Sequence, residues 1–181
     1  PDGKHIVYIS DKSSTLSGTD NFWLASADSV HAIKKIVETG RSVGAEAARQ
    51  LSSAGAFSFD SRRFVYTVQS QGRRVVRIYS FADSKDEAFS IEDETFRDSL
   101  FGIENPRFSP DGTRLVFTGV KEGQRDLYIA TIDSLRGLLM QIEQLTNDFY
   151  SDIHPSWSPD GKCIAFSSDR GTETDFSRMI Y

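Results

Sequence analysis

The sequence predicts an all-β fold assembled from copies of one four-stranded antiparallel sheet, and three observations carry that expectation. An aspartate-centred turn recurs at Asp2, Asp60, Asp111 and Asp160, at spacings of 58, 51 and 49 residues. Six residues after each aspartate stands an aromatic (Tyr8, Tyr66, Phe117, Phe166), and the two positions before it are apolar in every copy: Ile6-Val7, Phe64-Val65, Leu115-Val116 and Ile164-Ala165. All five prolines fall inside the pattern, either in the turn (Pro1, Pro110, Pro159) or two residues before a leading aromatic (Pro106, Pro155). Strands repeating at roughly 50 residues are the signature of a β-propeller, whose blades bury their two faces only against one another.

The clearest copy runs from Asn105 to Thr118. Its turn is Ser109-Pro110-Asp111-Gly112: proline presets φ at the first central position, aspartate fits the second, and Gly112 takes the left-handed conformation that closes a short hairpin. Leu115, Val116 and Phe117 then run apolar on both faces, as in a strand covered on two sides. Phe57, Phe108 and Trp157 precede their turn aspartates by three residues. A third strand follows each hairpin, over residues 21–28, 76–83 and 126–133, each ending on aspartate. A fourth is expected over 32–37, 87–91 and 140–146. Leu135, Leu138, Leu139 and Ile142 have helical spacing, but Gly137 and the place in the repeat favour a loop entering the fourth strand. The resulting division is a partial first blade (1–38), an inter-blade connection (39–53), two whole blades (54–92 and 104–147) and a partial fourth (153–181). Such an incomplete set forms an open arc with uncovered faces at its ends.

Composition narrows the function. The 181 residues are 38% hydrophobic, enough for a core, and no apolar run reaches the ~20 residues of a membrane-spanning helix. A net charge of −5 argues against a nucleic-acid partner, because phosphate contacts need a concentrated basic surface. Cys163 is the only cysteine, so no internal disulfide forms. The chain opens inside a turn, at Pro1-Asp2-Gly3, which leads to the expectation of a longer parent with further blades and other domains.

With turn, aromatic and third strand in place, HPSWSPDGKCIAFSSDRG and NPRFSPDGTRLVFTGVKEGQRDLYIATID resemble the WD40-like, PD40-type repeats of TolB-like β-propellers. Pro155, Trp157, Ser158, Pro159, Asp160, Gly161, Ile164, Phe166 and Asp169 fill that pattern, and Leu145-Thr146 its closing Leu-Thr strand. The second copy departs from it, with Phe59-Asp60-Ser61 in place of Pro-Asp-Gly. Serine in a left-handed position costs more than glycine, so that hairpin is expected to be the least regular. The resemblance implies a propeller of the bacterial periplasm or cell envelope that binds a protein or peptide and scaffolds. As the alternative it implies the non-catalytic propeller of a larger prolyl-oligopeptidase-like or tricorn-like peptidase that gates substrate access. The matching residues are structural: Asp2, Gly3, Tyr8, Asp60, Tyr66, Phe108, Pro110, Asp111, Gly112, Phe117, Trp157, Pro159, Asp160, Gly161 and Phe166.

No nucleophile elbow, zinc helix, phosphate loop or dinucleotide fingerprint is present, so no catalytic, cofactor or metal residues are assigned. His5, Arg63, Arg114 and Cys163 share one slot and read as strand-edge residues. The turn aspartates recur once per blade and read as hairpin hydrogen-bonders, and the acidic run from Asp83 to Asp98 as a solvated loop. The loops ahead of the inner strands mix aromatics with charge, as interaction surfaces do. They nominate Phe96, Arg97, Phe101, Phe149, Tyr150 and Asp152, with His154 as a rim residue, for the contact surface.

Overall fold

The computed structural model describes residues 1–10, 21–37, 55–70, 73–171 and 179–180. Strands β1 (His5–Ser10), β2 (Asn21–Ser26) and β3 (Ser29–Val37) form one antiparallel sheet. Two four-stranded antiparallel meanders follow. The first is β4 (Ala56–Phe57), β5 (Arg63–Ser70), β6 (Arg73–Ser80) and β7 (Lys85–Ile91); the second is β8 (Gly102–Phe108), β9 (Arg114–Lys121), β10 (Gln124–Asp133) and β11 (Leu138–Gln144). A last sheet holds β12 (Asp152–Trp157), β13 (Ile164–Ser168) and β14 (Met179–Ile180). This is an incomplete propeller built from one repeated sheet, as the repeat predicts. The segment after Ser134 turns and enters β11 as a strand rather than forming a helix. The connection expected over 39–53 lies outside the described residues.

Two elements depart from the template. A short helix, α1 (Glu94–Ser99), occupies part of the stretch expected to be loop. Asp93 caps it by accepting the N–H groups of Thr95 and Phe96 at 2.8 and 3.2 Å, which satisfies two otherwise orphaned donors. The outermost strands of the two meanders also pair with each other: β11 runs parallel to β7, with Ser90 N–H donating to Gly137 O (3.0 Å) and Glu92 N–H to Leu139 O (2.9 Å). That bridge covers part of two exposed sheet edges.

The core lies between sheets, not within them. Along β5, Phe64 and Tyr66 point to the first sheet and join Phe22 and Tyr79. Val65, between them, points the other way and joins Leu115, Phe117, Tyr128, Phe89 and Leu139 of the seam with the next unit. The alternation follows from the period of two along a strand. Where a neighbour is present on both sides the triplet is closed to solvent: Leu115, Val116 and Phe117 are all 0% exposed. In the first sheet Ile6 is 54% exposed, and Ile164, Ala165 and Phe166 of the last are only half-buried. The terminal units therefore keep uncovered apolar surface.

The second, third and fourth turns are closed by the same hydrogen-bond set. Ser109 Oγ donates to Asp111 (2.6 Å) and accepts from Arg114 N–H (2.9 Å), while Asp111 accepts from Thr113 N–H (3.0 Å). Ser58 with Asp60 and Ser158 with Asp160 repeat it at 2.5 and 2.6 Å. Gly112 sits at φ 72°, and Ser61, its counterpart, is forced to φ 59°. The first strand of that hairpin, β4, spans two residues against seven in β8, and residues 51–54 ahead of it lie outside the described residues.

Neighbouring turns also touch. Arg63 donates to Gly112 O at 2.7 Å and lies over the Phe108 ring at 4.8 Å; Arg114 lies over Trp157 at the same distance. The slot read from sequence as strand edge is thus a latch from one unit's second strand onto the next unit's leading aromatic. His5 fills it in the first unit by stacking on Phe81 (5.9 Å), which stacks on Phe57 (5.7 Å).

A Cβ on Gly112 would run into the Arg63 guanidinium, whereas one on Gly161 meets only the Pro110 ring at 3.5 Å. Both glycines have positive φ. Gly112→Val should therefore destabilise by more than Gly161→Val, each costing about 1 kcal/mol or more, in denaturant titrations. Acid provides a second check. The Ser109 hydroxyl and the Thr113 N–H hold the Asp111 carboxyl down to about 2. A carboxylate lowered on folding stabilises above its unfolded value and loses that contribution as pH falls through its folded one. Asp111→Asn should flatten the fall in melting temperature between about pH 4 and pH 2.

Candidate contact surface

β8 and β12 are the first strands of consecutive units and run side by side in the same direction, with the connections that precede them at one end. At that end Phe101 is 73% exposed and Phe149 94% exposed, with Tyr150 beside it partly exposed. All three rings stand immediately ahead of the first strands of consecutive units.

Their backbone is tied down. Phe101 N–H donates to Val120 O (2.8 Å), which fixes it to the end of β9. The connection from β11 to β12 is held at several points. Leu145 N–H donates to Leu127 O at 2.7 Å, and Leu127 N–H donates to Thr146 Oγ1 at 2.9 Å. Asp126, buried on β10, accepts from Gln144 Nε2 (3.2 Å), Thr146 Oγ1 (3.3 Å) and the Asp148 N–H. Further on, Tyr150 N–H donates to Asp148 (2.9 Å) and Ser151 N–H to Asp169 (2.7 Å). Arg170 closes the set: one guanidinium nitrogen reaches both Asp148 and Asp152 Oδ2, the latter at 2.9 Å, and the group lies over the Tyr150 ring at 5.7 Å.

The electrostatics follow from burial. Loss of hydration pushes the Asp126 carboxyl up, only partly offset by the Thr146 hydroxyl and the Asp148 N–H, and Asp152 and Asp148 add like charge. The Tyr150 N–H and then Arg170 hold Asp148 down. Asp152 is 0% exposed, and its Oδ1 has no hydrogen-bond partner among the described residues. Burial and the Asp126 charge push the Tyr128 phenol up to about 12. On the neighbouring unit Glu104 is held between Arg74 and Arg125 (3.5 Å to the latter).

The nominated residues fall into different places. Phe101, Phe149 and Tyr150 lie ahead of β8 and β12 and are exposed. Phe96 turns inward from α1, half-buried and edge-on to Tyr128 at 6.1 Å, so it serves the core seam. Arg97 stays on the helix surface, paired with Glu94 at 3.2 Å. Asp152 lies beneath the loop as an anchor. His154 is exposed but stands within β12 rather than ahead of it, at the strand's bulge with φ 55°; Asn105 takes the same place in β8 with φ 50°. Asp126 and Arg170 escaped sequence reasoning, and Thr146 was read only as part of the closing Leu-Thr strand, not as a partner of Asp126. The available signal was an aspartate opening the third strand of one unit only, where the position paired opposite in the preceding unit is Val75.

Comparison with known proteins places this arrangement. A family model described as the TolB beta propeller domain matches residues 46–180. Among solved structures, TolB from Acinetobacter baumannii superposes with a TM-score of 0.66 at 23% identity, covering 98% of this chain and 38% of that one. A putative TolB from Agrobacterium tumefaciens gives 0.68 at 18% identity, covering 93% and 51%. A prolyl endopeptidase structure gives 0.62 at 10% identity, covering 98% and 28%. At these identities the likeness concerns the fold, and the chain spans about half or less of each of these structures.

Removing the cation that faces buried Asp152 leaves an uncompensated charge. Arg170→Ala should destabilise the last sheet by about 2 to 4 kcal/mol, towards the lower figure because Arg170 itself is partly exposed, read by denaturation of the purified chain. A loss below about 0.5 kcal/mol would show that the pair is surface-like.

Proposed function

Because the chain belongs to the TolB beta-propeller domain family, we propose that it is a non-catalytic module of a bacterial cell-envelope protein, binding and scaffolding a protein or peptide in the periplasm. The observation that carries this reading is the trio Phe101, Phe149 and Tyr150, exposed on a backbone tied by hydrogen bonds and ion pairs. Rings held this way offer large contact area with little entropy left to lose on binding. Aromatic side chains are also the residues most enriched among binding hot spots.

A second reading is favoured by the likeness to a prolyl endopeptidase. In it the chain is the non-catalytic propeller of a larger peptidase, and the same end faces a catalytic domain of its own parent protein.

Photo-crosslinking separates the two readings. A benzophenone amino acid is placed at Phe101 or Phe149 of the full-length protein in cells, with Thr113 in the opposite turn as control. A discrete adduct with another polypeptide, from both ring positions but not from Thr113, is the expected result. Adducts internal to the parent chain would favour the peptidase reading, and equal labelling from Thr113 would overturn the surface assignment. With a captured partner in hand, Phe149→Ala should weaken binding by about 1 to 3 kcal/mol, roughly fivefold to 150-fold.

A further inference from the structure

We propose that Asp126 and Arg170 are positioning residues that hold the 145–151 connection, and with it Phe149 and Tyr150, in a preformed binding conformation. This rests on the reading of those rings as a contact surface, but the device itself is argued from geometry alone.

Three observations carry it. First, the hydrogen bonds that Asp126 accepts come from Gln144 Nε2, Thr146 Oγ1 and the Asp148 N–H, all at or leading into that connection. A buried carboxylate satisfied by donors of one segment acts on that segment's conformation. Second, Arg170 Nη2 spans Asp148 in the connection and Asp152 at the start of β12, and its plane covers the Tyr150 ring. The guanidinium therefore fixes both ends of the stretch that displays the two rings.

Third, the repeat supplies its own control. Residues that build the template recur from unit to unit; these do not. Asp126 pairs opposite Gly119, eight residues after its turn aspartate, and the corresponding pair in the preceding unit is Val68 with Val75. Arg170 stands ten residues after Asp160, where the two preceding units have Ser70 and Lys121. Asp152 stands eight before Asp160, where the third unit has Ile103. The sheet folds in those units without the set. A buried charge whose surroundings favour its neutral form is a stability cost that the template does not require. Its effect is local: it fixes one connection.

Amide hydrogen exchange on the purified chain tests this without a partner. In Asp126→Ala the amides of Asp148, Tyr150 and Ser151 should exchange about tenfold faster, while those of Gly112 and Arg114, in the turn at the opposite end, stay within about twofold. Asp126→Asn keeps an acceptor and should restore most of the protection. Arg170→Lys keeps the charge but loses the guanidinium plane that lies over the Tyr150 ring, so it should speed exchange at Tyr150 and Ser151. Acceleration of all these amides together, including Gly112, would make Asp126 a general stabiliser and overturn the proposal. So would unchanged exchange at 148–151 in both Asp126→Ala and Arg170→Lys. Because no partner enters the measurement, loss of the crosslinks at Phe149 with intact positioning would sink the contact reading alone.

Discussion

A β-sheet with apolar side chains on both faces leaves water only by lying between two others, and this constraint organises the molecule. Val65 and its flanking Phe64 and Tyr66 are three successive residues of one strand, yet they belong to two different seams. Most of the stabilising burial is therefore shared between units, and no single sheet owns it. Stability in such an array is a sum of unit terms and nearest-neighbour terms. The half-exposed triplets of the first and last sheets are the same chemistry with one neighbour absent from the described residues.

Seams of this kind need a device that sets how far one sheet slides on the next, because apolar contact is not directional. Two polar features at the turn end supply direction. In the second, third and fourth units the serine–aspartate pair fixes the shape of the hairpin, so that the following strand starts at a defined height. The arginine of that strand then reaches across to the next unit, onto an aromatic ring and, from Arg63, a turn carbonyl. At the opposite end the connections are free to differ from unit to unit, and it is there that α1, the Glu104 ion pairs and the anchored 145–151 stretch appear.

The repeat, the turns and nearly all strands were legible because their causes are local. Proline and glycine fix turn dihedrals, and a period of two marks a strand within a few residues. Ser61 was legible as a departure from the template for the same reason, and it takes the left-handed conformation that glycine takes in the other turns. What escaped was set by contacts between residues distant in sequence. The role of Arg63 depends on Phe108 and Gly112, which lie in the next unit. The inward turn of Phe96 depends on Tyr128, and the parallel bridge of β7 to β11 on the closeness of two sheet edges. None of these leaves a periodic mark in its own segment. The exposed aromatics ahead of β8 and β12 were legible as rings flanked by charge, but Asp126 and Arg170 look like ordinary polar residues until the 145–151 connection is seen folded over them.

The latch slot has one further occupant. Cys163 takes in the fourth unit the place that Arg63 and Arg114 take in the second and third, and it is exposed. Since it is also the sole cysteine of the sequence, a maleimide dye would attach at one known spot, in the turn between β12 and β13. The native chain thus already carries a fluorescent reporter position for whatever approaches that turn, with no residue exchanged to install it.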